Sequence, residues 1–426
     1  METIAMLPIR SRLIDGEFDE ILKSLYGTAF DAQKNKYAAL TDAFEGAFGE
    51  SDSAALFSAP GRSEIGGNHT DHQLGRVLAA AVTMDTRAVV APRTDSTVRI
   101  HSQGYTPLCV SLDRLTPEQG EENASEALVR GIAERLTMTG RKVGGFDAVT
   151  ASDVPKGSGL SSSAAFSILV ATIFSELYND GKISPVEQAL ASKYAENNHF
   201  GKPSGLMDQL ACAVGGFITI DFERPEEPKI EQIDCDLAAL GYDICIVNCG
   251  GNHADLTPEY EAVTNEMGSV SRYFGKNVLR EVDEGEFYAS LGQLRNVVSD
   301  RALLRSMHFF GDNARVPLQA EALKRKDMDT FRKLMNESGR SSFMLLQNVC
   351  PTDASERGLA LALALSERVL GERGAWRVHG GGFAGTIQAL VPLDLTEAYQ
   401  AEMERVFGVG CCYRFAVRPV GGVRIG

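Results

Sequence analysis

The chain has 426 residues, of which 44% are hydrophobic and 23% are charged, and its formal net charge is −15. This length is too great for one compact core, so we expect about two domains in a folded protein. The acidic charge excludes nucleic acid and an anionic membrane as the main partners, although a local cradle in an acidic protein still binds phosphate.

The eight cysteines show no Cys-x-x-Cys spacing and no histidines at zinc-ligand distances. This pattern is typical of reduced thiols in a reducing cytoplasm. Residues 1–8 lack the basic region and the apolar stretch of a signal peptide, and no run approaches the ~20 apolar residues of a membrane-spanning helix. We therefore expect a cytoplasmic protein with no membrane partner.

The predicted elements begin with helical spacing over residues 12–50, where Phe18, Ile21, Leu22 and Leu25 share one face. A charged segment with two prolines, residues 223–229, is the clearest boundary, so we predict an N-terminal domain over 1–225 and a C-terminal domain over 226–426. Strands and helices alternate without a regular βαβ period, which favours an α+β fold. The predicted strands are 77–82, 86–91, 97–101, 107–112, 145–151, 215–222, 242–248 and 386–391, with a helix over 124–139 and long helices over 258–346.

Residues 155–164 form a glycine-rich turn followed by three serines and an apolar helical run; we call this segment the serine loop. Its glycines permit unusual turn conformations, and the serines supply N-cap chemistry for a helix whose N-terminus attracts anions. The loop lacks both the Walker A ending and the dinucleotide Gly-x-Gly-x-x-Gly spacing. From these residues alone, a phosphate cradle and an ordinary Ser-capped helix remain equally open. The candidate phosphate contacts are Lys156, Gly157, Ser158, Gly159, Leu160, Ser161, Ser162 and Ser163.

Three further segments are rich in polar groups or glycine. Residues 59–75 contain Asn68, His69 and Asp71 among four glycines, which predicts a loop that binds a polyhydroxylated ligand, the alternative being a solvated turn. Glu196 and Asp208 flank a loop with two glycines and a proline, and such a pair suits Mg²⁺ binding and an acceptor hydroxyl in phosphoryl transfer. Residues 379–385, His-Gly-Gly-Gly-Phe-Ala-Gly, permit close approach of the backbone to a ligand or to another loop.

Taken in this order, these segments resemble the galactokinase branch of the GHMP kinases. This superfamily comprises galactokinase, homoserine kinase, mevalonate kinase and phosphomevalonate kinase. Residues 61–75 resemble the galactokinase signature Gly-Arg-Val-Asn-Leu-Ile-Gly-Glu-His-Thr-Asp, and residues 155–164 and 374–386 resemble the superfamily's other two motifs. The resemblance implies a two-domain α+β fold, with an N-terminal domain like domain 2 of ribosomal protein S5, a ferredoxin-like C-terminal domain, and an active site in the cleft between them.

The resemblance also implies an ATP- and Mg²⁺-dependent kinase that phosphorylates the anomeric hydroxyl of galactose. Asp208 corresponds to the carboxylate facing the sugar hydroxyl, and Arg62 to the cation beside it. Glu196 and Ser162 correspond to the Mg²⁺ ligands. The implied partners are ATP and a small sugar, in a monomer or a weak dimer. The positions corresponding to sugar contacts are Asn68, His69, Asp71, Gly205 and Tyr260.

The sequence departs from the galactokinase pattern at the sugar side. Asn68 replaces the glutamate before His-Thr-Asp, which in galactokinases contacts the C6 side of galactose, and an amide there tolerates a C6 carboxylate without like-charge repulsion. His379 and Ala384 replace the more common Thr and Gly of the last motif. A galacturonate 1-kinase is therefore the nearest alternative, and a non-catalytic sensor of galactose and ATP is a second; the complete serine loop disfavours the sensor.

Overall fold

The computed structural model describes residues 8–155, 159–202, 204–251, 256–352 and 355–426. Helices and strands follow one another without a regular βαβ order, in agreement with the expected α+β class. The elements of the first part of the chain are α1 (Ile9–Ile14), α2 (Asp19–Tyr26), α3 (Phe30–Phe48), β1 (Ala55–Gly66), β2 (Arg76–Pro92), β3 (Thr97–Ser102), β4 (Leu108–Ser111), α4 (Ser125–Met138), β5 (Phe146–Ser152), α5 (Ser162–Tyr178), α6 (Pro185–Ala195), α7 (Met207–Val214), β6 (Phe217–Asp221) and β7 (Lys229–Ile233).

The remaining part carries the second sheet and most of the long helices. Its elements are β8 (Tyr242–Asn248), α8 (Thr257–Tyr273), α9 (Glu284–Ala289), α10 (Leu291–Leu294), α11 (Asp300–Lys324), α12 (Met328–Ser341), α13 (Gly358–Leu370), β9 (Ala375–Val378), β10 (Thr386–Pro392), α14 (Thr396–Phe407), β11 (Cys412–Phe415) and β12 (Val423–Arg424). Short π-helical turns, Glu196–Phe200 and Ser342–Leu346, continue α6 and α12.

Two sheets organise the fold. The first has eight strands in the order β12-β1-β2-β5-β3-β4, with β6 paired to β2 and β7 paired to β6; the β3–β5 pair is parallel and the others are antiparallel. The second is an antiparallel sheet in the order β11-β8-β10-β9. The last strand of the chain, β12, therefore completes the first sheet beside β1.

Apolar clusters hold these layers together. One lies between the first sheet and helices α4 to α7 and includes Phe57, Phe146 and Ile168. Another joins the first sheet to α11, α12 and the second sheet through residues such as Leu78 and Phe331. Fully burying one such side chain stabilises the fold by about 1.5–3 kcal/mol. The second cluster therefore fixes the C-terminal helices against the sheet that carries β1.

The N-terminal helices pack as their spacing predicted. Phe18, Leu22 and Leu25 are buried against strands of the first sheet, while Ile21 lies at the edge of the same cluster. The helical face read from residues 12–50 is therefore confirmed.

Two sequence expectations require correction. Residues 59–66, predicted as part of a polar loop, belong to the buried strand β1, whose register shifts between Pro60 and Arg62 and between Glu64 and Gly66. The predicted strands 77–82 and 86–91 are one continuous strand, β2. The segment 223–229 forms a turn and the first residue of β7, within the hairpin that joins β6 and β7 in the first sheet. The domain division at 225/226 stays a prediction, and it falls inside that hairpin.

Within the ranges that the structure describes, none of the helices combines the length and apolar composition needed to cross a bilayer.

Candidate active site

An ion pair between Arg62 and Asp208 lies at the centre of the predicted site. Arg62, on β1, places Nη2 2.7 Å and Nε 2.8 Å from Oδ1 of Asp208, on the first turn of α7. Ser161 donates a hydrogen bond to the other carboxylate oxygen. Arg62 also donates to the carbonyl of Gly159. The pair predicted as catalytic is therefore tied directly to the serine loop.

The charge of Asp208 depends on these contacts. Burial acts to raise its pKa, but the charge of Arg62 and the hydrogen bonds from Ser161 and Arg62 outweigh burial, and the pKa is lowered below its ordinary value. Cys212, one turn further along α7, is buried, and burial raises the pKa of its thiol well above the ordinary range. Asp208 is thus an ionised carboxylate beside a neutral thiol at neutral pH.

The serine loop leads into α5 with unusual backbone geometry. Gly159 has φ +73°, and Ser161, directly before the helix, has φ +57°. The expectation that the serines cap the helix is wrong for Ser161, because its hydroxyl bonds Asp208 and no side-chain hydrogen bond caps α5. Ser162 and Ser163 open the first turn, so backbone N–H groups there suit an anion. Among the predicted phosphate contacts, Lys156, Gly157 and Ser158 lie outside the described residues.

Leu160 packs the serine loop against β1. Its side chain is fully buried, and its carbonyl accepts a hydrogen bond from the backbone N–H of Arg62 at 3.0 Å. A Cβ on Gly61 would come within 2.8 Å of that same carbonyl. Gly61 is therefore needed for close approach of strand and loop, which keeps Arg62 within reach of Gly159.

Glu196 occupies a buried position at the start of the π-helical turn after α6. Its Oε2 accepts a hydrogen bond from Gln209 Nε2 at 2.9 Å, while Gln209 Oε1 is buried without a partner among the described residues. Glu196 and Asp208 both act on the pKa of Cys212, so both carboxylates lie near that thiol. Carboxylate and amide oxygens are ligands that Mg²⁺ accepts, and Mg²⁺ on a nucleotide needs only one or two protein carboxylates. The residues present therefore fit the ion.

Glu196 is not part of a larger metal-binding cluster within the described residues. Among the described residues, no group of three or more His, Cys, Asp or Glu side chains is arranged to hold a metal ion.

The segment 67–75, which we call the His-Asp loop, brings two predicted sugar contacts together. Oδ2 of Asp71 lies 3.0 Å from where a Cβ on Gly205 would stand, so this carboxylate touches the backbone before α7. Burial raises the pKa of Asp71, His69 opposes this effect, and the charge of Asp208 adds to it. The two carboxylates are therefore close enough to interact.

The backbone of the C-terminal glycines is hydrogen-bonded to the His-Asp loop. We call residues 380–382 the glycine loop. Its three carbonyls accept hydrogen bonds, in chain order, from Asn68 Nδ2 at 2.8 Å, His69 Nε2 at 2.9 Å and Tyr260 Oη at 3.0 Å. A Cβ on Gly381 would lie 2.5 Å from the Tyr260 ring. Of the two uses predicted for these glycines, the structure shows close approach to another loop.

Asn68 is enclosed within the protein. Its Nδ2 donates to Glu64 Oε1 at 3.1 Å as well as to residue 380, and its Oδ1 accepts from Asn348 Nδ2 at 2.9 Å and Ser342 Oγ at 3.3 Å. The side chain is fully buried. Protein groups thus use both N–H groups and both oxygen lone pairs of the Asn68 amide. In this conformation the side chain has no hydrogen-bonding capacity left for a sugar, so the structure does not favour the predicted sugar contact of Asn68.

Sequence reasoning missed Glu64 and its partner. Glu64 is buried and accepts a hydrogen bond from Arg377 Nη2 at 2.6 Å in addition to that from Asn68. The sequence did contain a signal for Glu64. The galactokinase signature has Asn at position 64 and Glu at position 68, and this chain has the two residue types exchanged. Arg377 neutralises the relocated carboxylate.

Two family models match the chain. The galactokinase galactose-binding signature matches residues 42–92, which contain β1 and the His-Asp loop. The GHMP kinase N-terminal domain matches residues 127–216, which contain the serine loop, Glu196 and Asp208.

Similar solved structures share the whole fold. Galactokinase from Lactococcus lactis complexed with galactose has a TM-score of 0.76 at 24% identity, over 91% of this chain and 99% of that one. Mevalonate kinase from Methanococcus jannaschii has a TM-score of 0.60 at 15% identity, over 86% and 98%. Phosphomevalonate kinase from Streptococcus pneumoniae has 0.59 at 12% identity, over 85% and 99%. The chain thus has the GHMP kinase fold, and its sequence matches the galactose-binding signature of the galactokinases and the N-terminal domain of the GHMP kinases.

Proposed function

We propose that this protein is an ATP- and Mg²⁺-dependent sugar 1-kinase that phosphorylates the anomeric hydroxyl of galactose. The observation that carries the proposal is the Asp208 carboxylate, held ionised by Arg62 and Ser161 between the N-terminus of α5 and the His-Asp loop. This arrangement suits phosphoryl transfer, in which catalysis consists largely of positioning and electrostatic stabilisation.

We assign each of these residues a role in catalysis or binding. Asp208 orients the sugar hydroxyl and is placed to accept its proton, and Arg62 keeps that carboxylate charged and offers positive charge to the transferring phosphoryl group. The first turn of α5 and the serine loop bind the phosphates of ATP. Mg²⁺, when bound, neutralises the charge of the triphosphate, and Glu196 and Ser162 are the residues that would hold it.

Asp71, His69, Gly205 and Tyr260 form the proposed sugar side. Asp71 touches the Gly205 backbone, and the ring of His69 is fixed by its hydrogen bond to the glycine loop. Tyr260 is fixed by the same loop. These contacts support a preformed site for a ligand that is rich in hydroxyl groups.

Galacturonate is the second candidate substrate, and one observation favours it. The carboxylate that replaces the signature's Asn, Glu64, is paired with Arg377, and residue 68 is a neutral amide. This part of the site therefore presents no unpaired carboxylate to repel a substrate carboxylate at C6.

A coupled assay of ADP formation tests the proposal. Galactose, galacturonate, N-acetylgalactosamine and arabinose would be compared at saturating MgATP. We expect the highest kcat/KM with galactose. A kcat/KM at least tenfold higher with another sugar, about 1.4 kcal/mol of transition-state preference, would overturn the galactose assignment. Absence of ADP formation with every sugar, with galactose binding retained, would favour the sensor.

A further inference from the structure

Helix α11 is hydrogen-bonded to the chain near both ends of the His-Asp loop, at Asn68 within the loop and at Arg76 directly after it. At one end, two α11 side chains bind the backbone of Asn68. At the other, Asn313 Oδ1 accepts a hydrogen bond from the backbone N–H of Arg76 at 2.8 Å. His69 and Leu74, between these ends, both have φ of +57°, in the left-handed region that non-glycine residues rarely adopt. A loop with such a backbone keeps its shape only when its surroundings hold it.

The contacts at Asn68 involve both its backbone N–H and its backbone carbonyl. Asp312 Oδ2 accepts from the backbone N–H of Asn68 at 2.8 Å, and His308 Nε2 lies 2.9 Å from its carbonyl oxygen. Asp312 and His308 are one helical turn apart on α11, so they project from the same face. Both side chains are fully buried.

The hydrogen-bond pattern fixes the tautomer of His308. A carbonyl oxygen only accepts, so Nε2 of His308 must carry the proton that it donates to Asn68. Nδ1 then accepts from the hydroxyl of Ser341, 2.8 Å away at the end of α12. The ring is therefore held at both nitrogens.

Asp312 is supported in the same way. Its Oδ2 also accepts from Ser338 Oγ at 3.2 Å, and its Oδ1 accepts from Arg315 Nη1 at 2.9 Å. A buried carboxylate with three donors forms strong charge-assisted hydrogen bonds. Helices α11 and α12 together thus build a rigid support under residue 68.

We propose that His308 and Asp312 are positioning residues, which clamp the backbone of Asn68 and so orient His69 and Asp71 toward the acceptor sugar. This inference rests on the proposed function for the identity of the ligand, but the clamp itself rests on the contacts of α11 alone. Among the described residues, the side chains of His308 and Asp312 are hydrogen-bonded to Asn68, Arg315, Ser338 and Ser341 and not to the proposed sugar-binding side chains, so they act through the His-Asp loop.

Kinetics of full-length variants test the effect on the acceptor. Asp312→Ala and His308→Ala should each raise the KM for the sugar about tenfold, the loss expected for one buried hydrogen bond to a charged or polar partner, with the KM for ATP changed less than twofold. Asp312→Asn and His308→Gln retain an acceptor and a donor for Asn68, so they should restore most of the sugar affinity. Equal rises in both KM values, or no rescue by the conservative variants, would overturn the proposal.

Two control variants on the same helix separate positioning from loss of stability. Leu323→Ala removes a fully buried apolar side chain of α11, and Ser306→Ala removes a buried hydroxyl that donates to the carbonyl of Ala302 in the same helix. Both should leave the KM for the sugar unchanged. A rise in Leu323→Ala as large as that in Asp312→Ala would show that stability alone is responsible and would contradict the clamp.

Amide hydrogen exchange gives a readout that needs no sugar. Peptides covering residues 66–76 should exchange at least about tenfold faster in Asp312→Ala than in the unmodified protein and in Leu323→Ala. Unchanged exchange would overturn the clamp whatever the substrate is. If the unmodified protein phosphorylates no sugar while the exchange rates change as expected, the proposed function fails and the clamp stands.

Discussion

The two loops of the candidate site are anchored to different parts of the chain. The described part of the serine loop is hydrogen-bonded to the first half, through Arg62 and Asp208. The His-Asp loop is hydrogen-bonded mainly to the second half, through α11 and the glycine loop. We therefore expect that acceptor binding and phosphoryl transfer can be perturbed separately. Changes in the C-terminal half should weaken acceptor binding, and changes near Asp208 should affect the chemical step.

Substitution of Asp208, which bonds Ser161 of the serine loop and lies near Asp71 of the His-Asp loop, should have the strongest effect on activity. Asp208→Asn keeps the shape of the side chain but removes its charge, so kcat should fall about 10²–10⁴-fold, the usual contribution of a positioned proton acceptor. Measurement of kcat with MgATP and galactose checks this. Asp52→Asn, the same chemical change at an exposed turn, is the control and should be neutral. A kcat for Asp208→Asn within threefold of the unmodified protein would exclude Asp208 from the chemistry.

A second prediction concerns pH. Because Arg62 and Ser161 lower the pKa of Asp208, the carboxylate stays ionised until the pH falls below its ordinary pKa of about 3.9. Arg62→Ala removes the main opposing charge, and burial then raises that pKa, so the acid limb of kcat/KM should move to higher pH. The rate at neutral pH should also fall, by about 10²–10³-fold.

The pH profile of Arg62→Lys provides the matched comparison. Lysine retains a positive charge without the guanidinium geometry, so its acid limb should lie between those of the unmodified protein and Arg62→Ala. Identical acid limbs in all three proteins would show that Arg62 does not control the ionisation of Asp208.

The smallest expected effect lies under the His-Asp loop. Asn68→Glu places a second carboxylate beside Glu64 and toward the carbonyl of Gly380, and should destabilise folding by about 1–3 kcal/mol. Adding Glu64→Asn restores a donor for residue 68, so the double exchange should recover at least about 1 kcal/mol of this loss. Urea denaturation of the four proteins checks the coupling. Additive losses would mean that the two positions do not act as a pair.

The sequence allowed prediction of the fold class and of the residues that meet at the site. Arg62 and Asp208 are 146 positions apart and still form the expected ion pair, because both belong to motifs whose order along the chain was recognisable. The polar stretch 59–66 was wrongly predicted to be a loop, because its glycines and charged residues are not typical of a buried strand. Gly61 is needed because the backbone carbonyl of Leu160 approaches the strand too closely for a Cβ, and Gly66 leaves room for the side-chain amide of Gln319.

The supporting residues were harder to predict. His308 was not among the predicted site residues, and its partner Asn68 is 240 positions away on another element. A lone histidine within a helix carries no signal of such a contact, because long-range packing of α11 against the His-Asp loop creates it. Ser161 was misjudged for a similar reason. Its hydroxyl has a local use as a cap, but Asp208 competes for it once the chain folds.

The central proposal is that Asp208 directs phosphoryl transfer to an anomeric hydroxyl. Phosphorus-31 NMR of the product formed from MgATP and galactose measures this directly. We predict a single sugar phosphate, whose phosphorus is coupled to the anomeric proton and which does not form in Asp208→Asn. A phosphate attached at any other carbon, or the same product at an unchanged rate from Asp208→Asn, would contradict the account.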